Sequence, residues 1–312
     1  MDGRGDERRR PDPSAAERPC RIQCVAFLVL RAAALAARLL PPGVRQALYR
    51  LGPITQGLRA LLNRAVPEGI AEVTIAAGDL AGARLLLDLR VDKDLWLGTY
   101  EPGMQRALRG LARPGMTAYD LGANIGYMTL LLAKAVGESG RVVAVEPLPS
   151  NMARLRAAVE LNHMQGRVAL VEKAIGPRSG RETFLVHRSP GMGRLEQAPG
   201  RSESFHHAVE VDVVSVDDLV YAEGFPPPQL VKMDLEGGEG RALEGMARLL
   251  REAKPVLLIE VHGRIPAEET WARLATAGYV VRDLERGRRV VRSTAELHPK
   301  AYIVAKAEGG PS

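Results

Sequence analysis

Between residues 70 and 305, short apolar runs alternate with longer stretches in which apolar residues recur every three or four positions. The short runs Thr117–Asp120, Arg141–Glu146, Val168–Glu172, Leu230–Asp234 and Pro255–Val261 are bounded by turn residues and read as buried strands. Helical spacing fills the gaps, over Ile125–Val136, Pro149–Asn162, Gly238–Leu250 and Ala267–Thr276. Such alternation implies a doubly wound, mainly parallel sheet. Glu72–Ala76 and Arg84–Leu89 read as a lead-in hairpin, and Gln105–Leu111 as a helix. Tyr279–Leu284 and Ala301–Ala305 read as a closing antiparallel hairpin. The Gly/Ser/Pro-rich stretch 176–211 reads as a loop and hairpin that packs beside the main sheet.

The pattern breaks down before residue 67. Residues 1–19 are rich in Arg, Asp, Pro and Gly, and predict a disordered tail. From Arg18 to Pro67 arginine is the only charged residue type, and two Ala/Leu-rich helical patterns flank Pro41-Pro42-Gly43. Arg31 and Arg38 share one helix face. Two arginines near the middle of a span would cost about 2.5–3.5 kcal/mol each, which disfavours a membrane crossing. Two readings of residues 20–66 stand: a basic amphipathic helix on an anionic membrane, and a helix packed on the domain. The expected division is therefore a tail (1–19), a basic helical segment (20–66) and one catalytic domain (67–308).

Charge sharpens that division. Residues 1–64 hold twelve arginines and five acids, a balance of +7, whereas the whole chain is +6. The basic character thus belongs to the N-terminal segment and the domain is near neutral. A nucleic-acid substrate calls for a basic footprint on the domain itself, so none is expected. Cys20 and Cys24 are the only cysteines and both precede the domain. A domain that needs no disulfide fits a reducing cytoplasm.

The candidate chemistry begins at Asp120-Leu-Gly-Ala-Asn-Ile-Gly126, with Glu146 twenty residues beyond the last glycine. The first strand ends in an acid, a glycine turn opens a helix, and the next strand ends in a second acid. This layout grips a nucleoside-containing cofactor. Asn124 stands where a dinucleotide site has its middle glycine. Asn tolerates the left-handed backbone, and a cofactor without a pyrophosphate has less need of bare backbone there. S-adenosylmethionine fits better than a nicotinamide: Asp120 can receive its α-ammonium group and Glu146 its ribose hydroxyls. Asp120, Gly122, Asn124, Gly126 and Glu146 are the expected cofactor residues, with Tyr100 and Glu101 closing over them.

The runs Trp96-Leu-Gly-Thr-Tyr-Glu-Pro102, Asp120-Leu-Gly-Ala-Asn-Ile-Gly-Tyr-Met-Thr-Leu130, Val145-Glu-Pro147, Val231-Lys-Met-Asp-Leu-Glu-Gly237 and Ile259-Glu-Val-His262 are similar, in order and spacing, to the FkbM-type methyltransferase family. The resemblance spans roughly residues 70–305. It implies a class I methyltransferase (Rossmann-like) fold with a mostly parallel seven-stranded sheet. It also implies methyl transfer from S-adenosylmethionine to a hydroxyl of a sugar, glycan or secondary metabolite. Gly238 departs from the family pattern, and the stretch 186–207 is particular to this chain.

Ligands of open α/β sheets lie outside the carboxyl ends of the strands. Two such ends carry polar residues: Lys232, Asp234 and Glu236 on one, Glu260 and His262 on the other. His262 titrates near neutrality and is the first choice of base, with Asp234 second. Lys232 would orient Asp234. Glu239 sits at a helix N-terminus, where the dipole accounts for it, and is set aside. Asp234 and Glu260 could hold Mg²⁺, but the sequence shows no clear oxygen-ligand cluster and no metal is expected. Competing readings are a nucleic-acid methyltransferase, an NAD-dependent oxidoreductase and a non-catalytic cofactor-fold protein.

Overall fold

The computed structural model describes residues 69–187, 193–199, 205–285, 287, 289–298 and 300–308. The expected tail 1–19 and helical segment 20–66 lie outside the described residues. Among the described residues no helix is long and apolar enough to cross a membrane.

A hairpin of β1 (Ala71–Thr74) and β2 (Arg84–Leu87) leads in, followed by α1 (Lys93–Trp96) and α2 (Pro102–Leu111). The main sheet is built from β3 (Thr117–Leu121), β4 (Arg141–Val145), β5 (Val168–Val171), β10 (Leu230–Asp234), β11 (Val256–His262), β12 (Tyr279–Asp283), the two-residue β13 (Arg289–Val290) and β14 (Lys300–Ala307). Their order is β13-β12-β14-β11-β10-β3-β4-β5. The pairs among β5, β4, β3, β10 and β11 are parallel, whereas β14 runs antiparallel between β11 and β12. The closing hairpin therefore inserts its last strand into the sheet, and the short β13 adds an eighth strand at the edge. The order reverses at β3, which makes its junction with β10 the topological switch point.

Alternation along the strands divides the core in two. Leu230, Leu258, Val142 and Ala144 face one apolar layer with α2, α3 (Tyr127–Val136) and α4 (Pro149–Leu161). Val231, Met233, Ile259, Val143 and Val145 face the other, with α5 (Val216–Tyr221), α6 (Glu239–Glu244), α7 (Ala247–Glu252) and α8 (Arg264–Thr276). Both faces are covered, so the central strands read as nearly continuous apolar runs. Polar residues within them are exceptions that need partners.

The stretch 176–211 contributes more than a loop. β6 (Ala174–Ile175), β7 (Gly180–His187), β8 (Gly193–Leu195) and β9 (Phe205–Val214) form a second sheet in the order β6-β9-β7-β8. Its own apolar cluster includes Phe184, Leu195, Val211 and Val213. Arg241 on α6 donates to both carboxylate oxygens of Glu182, at 2.8 and 2.9 Å, and ties this sheet to the main body. His206 and His207, expected in a loop, lie exposed on β9.

The helix expected over Gly238–Leu250 is broken into α6 and α7. A Cβ on Gly245 would stand 2.3 Å from the Gly176 carbonyl oxygen. The break lets the chain pass under the start of the second sheet. A local helical period carries no sign of that distant backbone.

Candidate active site

A cavity of about 470 Å³ opens at the carboxyl ends of β3, β4, β10 and β11, at the switch point. Tyr100, Glu101, Gly122, Asn124, Glu146, Lys232, Asp234, Glu236, Glu260 and His262 all line it. Of the twelve expected site residues, Asp120 and Gly126 do not. Three of the five non-glycine residues with positive φ among the described residues also line it: Glu101 (39°), Asn124 (50°) and Glu236 (52°). Backbone strain of this kind collects where a fold places functional groups.

One wall is made mainly by the backbone. Gly122 has φ +78°, and a Cβ there would lie 2.0 Å from the Asp234 carbonyl oxygen. Only glycine lets the turn pass so close to the end of β10. The amides of Gly122 and Ala123 donate to the Val145 carbonyl at 3.0 Å each, which pins the turn against β4. Glu146 follows β4 and is only 5% exposed. Its Oε2 accepts from the Asn124 amide at 3.0 Å, and its Oε1 accepts from the Leu148 amide and Asn151 Nδ2 at 3.0 and 3.1 Å. Burial nevertheless pushes its carboxyl up to about 7. Among these bonds Oε2 keeps an acceptor lone pair for a ligand hydroxyl.

Two expected cofactor residues lie behind the cavity lining. Asp120 is fully buried; its Oδ1 lies 3.2 Å from Lys232 Nζ, and its Oδ2 accepts from Thr129 Oγ1 at 2.7 Å. It supports the turn from beneath, because β3 and β10 pair Asp120 opposite Lys232. Gly126 caps α3 with φ +93°, and a Cβ there would lie 2.6 Å from Leu155 Cδ1. Its role is close packing of α3 on α4.

The opposite wall is made by side chains. β10 and β11 pair in parallel with Asp234 opposite Glu260. Lys232, Asp234, Glu260 and His262 therefore share the face that carries Leu230 and Leu258 deeper in the sheet. Lys232 donates to the Gly122 carbonyl at 3.1 Å and lies 3.9 Å from Asp234 Oδ2. One buried ammonium group thus links the glycine turn to the acids. Its own pKa is raised: burial opposes the charge, but Asp120, Asp234 and Glu101 outweigh it.

His262 is almost fully buried. Its Nδ1 lies 3.2 Å from Glu239 Oε1, and its Nε2 lies 3.2 Å from Glu260, 3.7 Å from Glu236 and 3.8 Å from Asp234. Burial opposes its charged form, yet the bonds to Glu239 and Glu260 and the charge of Asp234 lift its pKa to about 11. The surroundings thus favour the imidazolium, and an imidazolium cannot accept a proton. Four carboxylates around one ring favour its charged form, which counts against His262 as the base.

The carboxylates respond to the same crowding. Burial, more than any neighbour, raises Glu236 to about 7 and Glu101 to about 8, and it raises Asp234 as well. Glu260 goes the other way, to about 2. Burial opposes its charge, but His262 and Lys300, whose Nζ lies 2.7 Å from its Oε1, prevail.

Glu239 is the residue the sequence reading lost. It is fully buried, and its Oε1 accepts from the amides of Leu235 and Gly237 at 3.2 and 3.1 Å as well as from His262. A helix-dipole argument explains an acid at this position and stops there. Its partner lies on another strand, and no sequence spacing announces that meeting. Lys300 on β14, together with Phe184 and Leu195 from the second sheet, likewise reach the cavity only through tertiary packing.

The Methyltransferase FkbM domain matches residues 120–281, more than half of the chain. This chain belongs to the FkbM methyltransferase family. The match begins at Asp120, takes in both cavity walls and ends in β12. The family is one of S-adenosylmethionine-dependent methyltransferases, so that compound is the cofactor to be fitted. The Glu146 carboxylate, the glycine turn and the excess of acids over cations suit a ligand that carries ribose hydroxyls, a sulfonium and an ammonium group.

Two curated relatives are similar to this chain. One is the 31-O-demethyl-FK506 methyltransferase FkbM of Streptomyces tacrolimicus, 29% identical over 160 residues that cover 43% of this chain and 60% of the relative. The other is the hexuronic acid methyltransferase AglP of Haloferax volcanii, 25% identical over 159 residues that cover 51% of this chain and 61% of the relative. The chain thus spans about three-fifths of the length of each. A solved structure, methyltransferase FkbM from Methylobacillus flagellatus, is 18% identical, covers 70% of this chain and 53% of its own, and has a TM-score of 0.41. The fold assignment rests on the strand order described above.

Proposed function

We propose that this chain is an S-adenosylmethionine-dependent O-methyltransferase acting on a hydroxyl of a sugar, glycan or secondary metabolite. One observation carries the reading: the Gly122–Asn124–Glu146 wall and the Asp234–Glu236–Glu260–His262 wall face each other across one cavity. The names of the two relatives, one acting on a demethylated FK506 and one on a hexuronic acid, support a hydroxylated acceptor.

Glu146 and the backbone of Gly122–Asn124 would hold the cofactor, with Tyr100 and Glu101 at the mouth. S-adenosylmethionine, when bound, supplies an electrophilic methyl group that needs little activation beyond alignment. The acceptor hydroxyl must lose a proton as the new bond forms, and a positioned base adds about 10²–10⁴-fold. Glu236 suits that task. It is the more exposed of the two β10 acids, its side chain being 27% exposed, and its pKa near 7 makes it half-ionised in neutral solution. His262 holds Glu236 and Asp234 by charge, and Glu239 fixes the orientation of the ring. Lys232 couples the acids to the glycine turn.

The extension before the domain is assigned by the same reading as a basic helical segment over 20–66, behind a tail over 1–19. A peripheral contact with an anionic membrane, on the cytoplasmic side, is part of the proposal. Deleting residues 1–64 should abolish sedimentation with anionic liposomes and leave cofactor affinity intact; unchanged sedimentation would remove that part.

The deciding experiment is calorimetric titration with S-adenosylhomocysteine beside NAD, followed by transfer of labelled methyl groups to a panel of hydroxylated acceptors. Binding of the former alone, with label in a uronic acid or polyol, is the expected result. Preference for NAD, or label in RNA or DNA alone, would overturn the reading.

A further inference from the structure

We propose that His262 Nε2 and the carboxylates of Asp234 and Glu236 form a binding site for one divalent cation, of the Mn²⁺ or Mg²⁺ type, with Glu260 beside it. The inference deepens the reading above and rests on it for its chemical role. Single ligand atoms of Asp234, Glu236 and His262 lie within 4.8 Å of one another, and so do those of Glu101, Asp234 and Glu260. Asp234 is common to both sets, so five side chains converge on one region of the cavity.

The orientation of the ring is the first argument. Glu239 Oε1 already accepts two backbone amides, so it is an acceptor toward His262 and the proton of that contact sits on Nδ1. A buried carboxylate that holds one ring nitrogen while the other faces a cluster of acids is how metal-binding histidines are oriented. Nε2 faces Asp234, Glu236 and Glu260; on binding, the cation would take the place of the Nε2 proton, which is released to solvent.

The second argument is independent of the first. Glu260 is only 1% exposed and lines the cavity, yet its Oε2 has no hydrogen-bond partner. Asp234 Oδ1 has none either. Buried carboxylate oxygens without a donor are expensive and are seldom left so. Lys232 lies 3.9 Å from the other oxygen of Asp234, Lys300 holds the other oxygen of Glu260, and His262 Nε2 stays 3.8 Å from Asp234 Oδ1, beyond hydrogen-bond length. Tyr302, the register partner of Glu260 on β14, also hydrogen-bonds its carboxylate.

A donor set of several carboxylates and one imidazole, with no thiolate, favours a hard or borderline ion. Such a cation lies beside the ends of β10 and β11. There it would hold the acceptor hydroxyl and lower its pKa, with Glu236 bound to the cation through one carboxylate oxygen and its other oxygen free to take the hydroxyl proton.

The test uses the full chain after treatment with a chelator. MnCl₂ is titrated in while the paramagnetic resonance signal of free Mn²⁺ is followed, and S-adenosylhomocysteine binding is measured separately by calorimetry. The expected result is one saturable Mn²⁺ per chain, displaced by excess Mg²⁺. Glu236→Gln and His262→Gln should each weaken Mn²⁺ binding by at least about tenfold, and Glu239→Gln by about 10–100-fold. Retained S-adenosylhomocysteine binding in the variants shows that they are folded. Absence of saturable Mn²⁺ binding by the unsubstituted chain, or an affinity unchanged in all three variants, would overturn the site. Failure of S-adenosylhomocysteine binding in the unsubstituted chain strikes instead at the proposed function.

Discussion

The two walls of the cavity solve different problems. The β3–β4 wall is local: Gly122, Asn124 and Glu146 belong to one βαβ unit, and backbone amides do most of the holding. The β10–β11 wall is assembled from segments far apart in the chain, with Glu239, Glu260, His262 and Lys300 meeting only because their strands and helices pack together. A wall held mainly by backbone amides is rigid, and it is preserved as long as its glycines are. A wall built of buried charges depends on every partner, because removing one leaves the others uncompensated in a medium of low dielectric.

This contrast predicts where damage should fall. The largest effect should come from Glu236→Gln, which removes the proposed base from the rim without unpacking anything. Turnover should fall by about 10²–10⁴-fold, with S-adenosylhomocysteine affinity and the unfolding midpoint almost unchanged. Turnover within a factor of two of the parent would show that the charged wall has another base. Next is His262→Ala, which leaves Glu239 and Glu260 buried without their counter-charge. A loss of about 3–5 kcal/mol is expected in denaturant unfolding. A neutral result would mean that the acids there simply hold protons.

On the backbone-built wall the expected effect is smaller. Glu146→Ala removes charged hydrogen bonds worth about 1.5–3 kcal/mol. Calorimetry should show S-adenosylhomocysteine bound about 10–100-fold more weakly, with turnover recovering at high cofactor concentration. If that substitution instead abolished folding, Glu146 would belong with the charged wall and the contrast would blur.

The gentlest probe is pH. Glu236 must be ionised to act as a base, so turnover should rise with pH through about 7, and that inflection should vanish in Glu236→Gln. Stability runs the other way. Glu146 and Glu236 are raised from 4.5 to about 7, so the stability linked to their protons is present below about 4.5 and lost by about 7. His262 is raised from 6.5 to about 11, and its contribution is lost as pH rises through that window. The cofactor-free protein should therefore be more stable in urea at pH 5 than at pH 9. Glu260, lowered to about 2, opposes this trend only in acid below about 4.5. A rise in stability from pH 5 to pH 9 would contradict the raised values.

The sequence by itself determined the elements whose cause is local. Period-two and period-3.6 patterns marked the strands of the main sheet within two residues and its unbroken helices within three. Glycine chemistry marked the turn, and the left-handed backbone expected at Asn124 is present at φ 50°. Lys232 and Asp234 were placed on one face by strand alternation alone. Tertiary structure decided whatever depends on partners distant in sequence. It broke the helix at Gly245 against the backbone of residue 176 and extended the hairpin expected within 176–211 into a second sheet that walls the cavity. It buried Asp120 against Lys232 and brought Glu239 to His262, where the surrounding carboxylates favour the charged ring. Local periodicity reports which way a side chain points. The charge it carries is set by burial and by neighbours that only the folded chain brings within a few ångströms.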